Sequence, residues 1–177
     1  MQITTSPTRE KFPLSTKKIW RKTISNVFTW TMILSSIYAY VFLLLAFISK
    51  LSKKSVLGAD YFIPSLLAIL AFLFIFFVLN YLYQRQYFTS YYYNFEDNFI
   101  VIKKGVFSKL EITLPYEKIQ DVYVGQGVWD RIFGLYNIYF ASAAISSIRA
   151  AHIDGLEKPA AEELRTLILK IIQEEKR

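Results

Sequence analysis

TLPYEKIQDVYVGQGVWDRIFGLYNIYFA, from Thr113 to Ala141, is the stretch that decides the fold of this 177-residue chain. Ile112, Leu114 and Tyr116 share one face of an extended run, Val122 and Val124 one face of a second, and Tyr136, Ile138 and Phe140 one face of a third. Successive side chains of a strand point to opposite faces, so this alternation predicts half-buried strands. Pro115 fits a strand end or an edge, because it has no N–H to give to a ladder. Gly125, Gly127 and Gly134 fall between the apolar runs, where the backbone has to turn.

Outward from this stretch the pattern continues. On the N-terminal side, Tyr91, Tyr92, Tyr93 and Phe95 read as a first strand and Asn94 to Asn98 as a turn. Phe99 to Lys103 reads as a second strand, Lys104-Gly105 as a turn and Leu110 to Tyr116 as a third strand. On the C-terminal side, Ser142 to Ser147 is a small-residue connection and Ile148 to Ile153 a last strand, which Asp154-Gly155 is expected to end. Lys158 to Glu174 then shows Leu164, Leu167, Ile168, Ile171 and Ile172 at helical spacing, with Pro159 near the first turn. Several strands followed by one amphipathic helix predict an α+β domain over residues 84–177.

Before the domain lie two apolar runs, 27–49 and 61–83, that contain no ionisable residue other than tyrosine. Each is long enough, at about 1.5 Å per residue, to cross a hydrocarbon core of about 30 Å. Trp30, Tyr61, Tyr81 and Tyr83 stand near their ends, where amphipathic rings prefer the headgroup level. Residues 50–60 link the runs closely enough to make a transmembrane hairpin with both termini on one side. The excess positive charge, +7 in all, lies beside these runs. Arg9, Lys11, Lys17, Lys18, Arg21 and Lys22 face only Glu10 in residues 1–26, while acids and bases balance from Arg85 onward. The heavier basic flank is the N-terminal one. The positive-inside tendency therefore predicts an integral protein of the cell membrane with both termini in the cytoplasm. Residues 1–26 are expected to be a basic tail, loose over 1–14. A nucleic-acid binder would be expected to carry its basic excess on the folded domain, so nucleic acid is not an expected partner.

Two blocks, LPYEKIQDV (Leu114 to Val122) and WDRIFGL (Trp129 to Leu135), resemble in order and spacing the signature of the bacterial pleckstrin-homology-like (PH-like) membrane proteins of the YdbS-like type. The resemblance covers about Tyr91 to Ile172 and the helix pair before it. It implies a transmembrane hairpin followed by a PH-like β-barrel that the C-terminal helix caps. Leu114, Pro115, Ile119, Gln120, Asp121, Val122, Asp130, Arg131, Gly134 and Leu135 are the residues that match the motif, and they are expected to be structural. Asp121, Asp130 and Arg131 are expected to cap turns or pair with one another, because half-buried charges need partners.

Little in the chain could carry chemistry. Cysteine is absent and His152 is the single histidine, so neither a cysteine-based metal site nor a multi-histidine site within one chain is available. No nucleophile elbow and no phosphate-binding glycine loop occurs, so no enzyme activity and no cofactor are expected. Headgroup-binding PH domains use a basic loop between their first two strands, whereas Asn94 to Asn98 carries Glu96 and Asp97. Lys17, Lys18, Arg21, Lys22, Lys103, Lys104 and Lys109 remain as candidate contacts to an anionic surface. Three readings follow. The first is a membrane-anchored adaptor or scaffold, presenting its barrel at the cytoplasmic face for protein–protein assembly with a partner or with copies of itself. The second is an anionic-lipid-recognition module. The third is an accessory subunit of a membrane enzyme or transporter.

Overall fold

The computed structural model describes residues 6–52, 59–142 and 151–175. The chain divides into two compact units, Met1–Arg21 with Tyr83–Arg177, and Lys22–Leu82.

The first unit is built on two antiparallel three-stranded sheets. One joins β1 (Tyr92–Phe95), β2 (Phe99–Lys104) and β3 (Leu110–Pro115) in that order. The other joins β4 (Ile119–Gly125), β5 (Leu135–Ser142) and β6 (His152–Glu157). A single 3-10 turn, Tyr116–Lys118, follows Pro115 and connects the sheets. The alternating residues of the sequence sit where a strand's period of two places them, with Ile100, Ile102, Leu114, Val122, Ile138 and Phe140 all buried in one core. The C-terminal helix, here α5 (Lys158–Glu175), packs on β4, β5 and β6 and buries Leu164, Ile168 and Ile172 in the same core. The strand expected from Ile148 falls largely outside the described residues, as does most of the Ser142 to Ser147 connection.

The structure corrects two expectations, on the last strand and on the N-terminal segment, and adds a helix between β4 and β5. Asp154-Gly155 does not end the last strand. Asn137 pairs with Asp154 and Tyr136 with Leu156, so Gly155 is the extra residue of a β-bulge inside β6. Its φ of +86° suits glycine, which is why the pair reads in sequence as a turn. Val128–Phe133 forms the short helix, α4, which Gly134 closes in the left-handed conformation (φ +65°). The N-terminal segment is not loose from Ser6 onward. α1 (Pro7–Lys11) is capped by the Ser6 hydroxyl, which accepts from Arg9 N at 2.9 Å, and that hydroxyl donates to the Tyr93 carbonyl. Phe12 and Leu14 enter the core, and the Tyr93 hydroxyl donates to the Phe12 carbonyl. A short apolar pair flanking Pro13 carries no periodicity, so its burial leaves no mark in the sequence pattern.

The second unit consists of the apolar parts of two long helices, α2 (Lys17–Ser52) and α3 (Ala59–Ser90). Both run beyond the apolar spans 27–49 and 61–83, because no breaker stands between the apolar run and its polar flank. Pro64 lies inside α3. The helices pair antiparallel: Asn26 Nδ2 donates to Asn80 Oδ1 at 3.5 Å, Trp30 meets Phe76 edge-on at 5.9 Å, and Tyr38 and Ser65 hydroxyls lie 3.1 Å apart. Both helices are long and apolar enough to cross a membrane, and their apolar windows are unburied by protein. The hydroxyls of Thr29, Thr31 and Ser36 donate back to carbonyls of their own helix, which satisfies them without water.

Ile168→Ala is expected to lower stability of the full chain in detergent by about 2–5 kcal/mol, because it deletes fully buried methylenes. Lys170→Ala, which removes only an exposed pair with Glu174, should change it by less than about 0.5 kcal/mol. Denaturant titration followed by tryptophan fluorescence measures both.

Candidate functional site

The buried polar groups of the first unit gather around the bulge in β6. Lys18, in the first turn of α2, is 1% exposed and its Nζ lies 2.6 Å from Asp154 Oδ1, itself almost fully buried. The ammonium also sits 3.8 Å from the centre of the Tyr91 ring, within cation–π range. Tyr91 in turn donates its hydroxyl to the His152 carbonyl at 2.8 Å. Burial pushes the Tyr91 phenol well above its ordinary pKa, and the Asp154 charge pushes it further the same way.

One turn along α2, Arg21 Nη2 lies 2.5 Å from Asp130 Oδ1. The other carboxylate oxygen, Asp130 Oδ2, accepts from Gly127 N at 3.1 Å and from Asn137 Nδ2 at 2.8 Å. Asn137 Oδ1 then accepts from the bulge itself, Gly155 N, at 3.0 Å. Gly155 O accepts from Ser15 N at 2.8 Å. Positions three apart on a helix share a face, so Lys18 and Arg21 reach β6 and α4 together. The lysine stem also packs directly over the bulge: a Cβ added at Gly155 would lie 2.6 Å from Lys18 Cδ and 2.9 Å from its Cβ. Glycine there serves both the positive φ and the close approach.

This arrangement is a clasp that fixes the N-terminal segment on the second sheet. Two of the candidate contacts to an anionic surface lie within it. Lys18 is buried and paired with Asp154, and Arg21 is largely buried and paired with Asp130. Lys17 is exposed but paired with Glu157 at 3.1 Å, and the same carboxylate accepts from the Ser15 hydroxyl, contacts that hold the Glu157 pKa below its usual value. Lys22 is half-buried.

The motif residues divide in the same way. Leu114, Ile119, Val122 and Leu135 are core, Pro115 ends β3, and Gly134 ends α4. Asp130 accepts from Gly127 N at the start of α4 and its cationic partner is Arg21, while Arg131 is exposed. Asp121 is exposed and accepts locally from Val122 N at 2.7 Å, and Gln120 is the exposed extra residue at the register shift between Ile119 and Asp121. His152 stacks on Tyr139 at 5.8 Å, and Tyr139 on Tyr123 at 5.1 Å, a ladder across the three strands. Asn137 was not singled out by sequence reasoning, and Asp154 only as part of a turn signal. The partner of Asp154 lies 136 residues away in the chain, and a buried polar residue in a strand looks like a break in the alternation.

Lys103, Lys104 and Lys109 surround the turn between β2 and β3. Lys103 Nζ bonds Glu111 Oε1 at 2.9 Å, which raises the lysine pKa. Gly105 makes the turn with φ +115°, and a Cβ there would lie 1.9 Å from Ser108 O, so the turn is tight. At its tip Phe107 is 91% exposed, touching only the Tyr83 ring at 6.1 Å among the described ring contacts. The β1–β2 turn remains acidic, with Glu96 N bonded to Phe99 O across it.

A family model described as the bacterial PH domain matches residues 26–172. No curated protein and no solved structure matches the chain.

Lys18→Ala is expected to destabilise the full chain by about 3–5 kcal/mol, because it leaves the Asp154 carboxylate buried without its cation. Lys18→Met combined with Asp154→Asn should cost clearly less than the sum of the two single changes, and a double-mutant cycle by denaturant unfolding measures the difference. Alkali should act here too. The folded pKa of Tyr91 lies above the unfolded one, so its contribution is complete below pH of about 10 and is lost as pH rises beyond it. A pH series of unfolding midpoints, with Tyr91→Phe flattening the alkaline limb, checks the sign.

Proposed function

Because the chain belongs to the bacterial PH-domain family, we propose that it is a non-enzymatic, membrane-anchored adaptor whose folded unit assembles with another protein or with further copies of the chain. The two long apolar helices are compatible with anchorage, and the family match with a PH-like binding module. PH-like domains are in general binding modules rather than catalysts. Both termini lie on the cytoplasmic side in this reading, from the basic flank before the first span.

The observation that carries the protein-binding part is on α4. Val128 and Ile132 are four residues apart, on one helical face, and are 79% and 67% exposed. The same helix turns Asp130 inward to the clasp. A short helix held in place by a buried carboxylate and showing two aliphatic side chains to solvent is suited to docking against an apolar partner surface.

Full-length protein extracted from its own membrane in mild detergent, and weighed by light scattering after size exclusion, is expected to be heavier than one chain in its micelle. Val128→Asp with Ile132→Asp should leave a folded monomer and remove any stoichiometric partner. A wild-type monomer without a partner would count against the adaptor.

A further inference from the structure

The tip of the β2–β3 turn is unexplained by the core, by the clasp or by α4. Its last ladder pair is Lys104 with Leu110, so Gly105-Val106-Phe107-Ser108-Lys109 projects beyond the sheet. The turn is constrained at Gly105, whose positive φ and contact with the Ser108 carbonyl leave no room for a side chain. Phe107 stands at its tip. A phenylalanine 91% exposed at the tip of a tight hairpin buries almost nothing within the unit. Leu110, beside it, is also exposed.

Two further observations identify what covers this tip. The first is its neighbour. Phe107 stacks on Tyr83, with ring planes inclined by 17°. Tyr83 is the first residue after Leu82, where the apolar helical unit ends, and Gln84, Arg85 and Gln86 follow it. In a membrane-spanning reading of that helix, Tyr83 stands where aromatic rings concentrate, at the headgroup level. The second is charge. Lys104 and Lys109 flank the phenylalanine, and no acid lies between Asp97 and Glu111. An aromatic side chain flanked by lysines matches the boundary of an anionic leaflet, with apolar chains below and phosphates above.

We infer that the Gly105–Lys109 turn is a membrane-contact loop, in which Phe107 enters the headgroup boundary of an anionic leaflet and the exposed Lys109 lies among its phosphates. The contact is distinct from headgroup recognition between the first two strands, where Glu96 and Asp97 stand. It adds a second attachment to the leaflet besides the helices. The inference rests on the anchoring half of the reading above and is independent of the adaptor half.

The chain has no cysteine, so single cysteines can carry a spin label without background. Ser108→Cys places the label beside Phe107 and keeps both lysines. Glu163→Cys, exposed on α5, reports the aqueous side, and Leu70→Cys reports the apolar helix. The full-length protein is placed in nanodiscs of phosphatidylcholine with phosphatidylglycerol, and collision with oxygen is compared with collision with a water-soluble nickel chelate. The label at 108 is expected to lose nickel access severalfold relative to the label at 163. Adding Phe107→Asp should restore it without changing elution. A label at 108 as open to nickel as that at 163, with the label at 70 in lipid, overturns the loop contact and leaves anchorage standing. A water-exposed label at 70 overturns both.

Discussion

The ion pair between Lys18 and Asp154 is the constraint on which the folded unit depends. Neither charge is exposed enough to be solvated, so each needs the other. The pair also fixes backbone. Asp154 is held in β6 directly before the bulge, and Lys18 lies across Gly155 because a glycine is there. Asn137 and Asp130 extend the same set of contacts into β5 and α4, and Arg21 closes it from the helix that carries Lys18. A hydrophobic stem with a charged end is well suited to this position. The methylenes of Lys18 cover the bulge and only its ammonium has to be satisfied, by a carboxylate and the face of Tyr91.

What could be read in the sequence follows from how local each signal is. The strands were legible because Ile100, Ile102, Leu114, Val122, Ile138 and Phe140 repeat at a spacing the backbone itself imposes. α5 was legible from Leu164, Ile168 and Ile172, and the long helices from composition alone. The clasp was not, because Lys18 and Asp154 are joined only by the fold. The bulge shows the limit most clearly. Asp-Gly is a strong turn signal since glycine tolerates positive φ, and Gly155 does adopt it, but in a strand that continues. The local conformation was legible and its topological setting was not. In the candidate sites, Lys104 and Lys109 were visible as candidate surface contacts, while the exposure of Phe107 and the approach of Tyr83 come only with tertiary structure.

The clasp also changes how the basic N-terminal flank is to be understood. Sidedness and surface attraction draw on the same lysines and arginines at different times. A positive-inside bias acts on the chain as it is inserted, when Lys17, Lys18, Arg21 and Lys22 are all open charges. Attraction to anionic lipid in the finished protein needs charges that are still exposed, and by then Lys18 and Arg21 face Asp154 and Asp130 while Lys17 faces Glu157. The flank can thus favour one topology without remaining a lipid-binding patch. In the folded unit the balance moves to the β2–β3 turn, where the exposed Lys109 accompanies an exposed aromatic ring. Charge counted along the sequence and charge presented by the fold are separate quantities, and in this chain the two ion pairs of the clasp account for the separation.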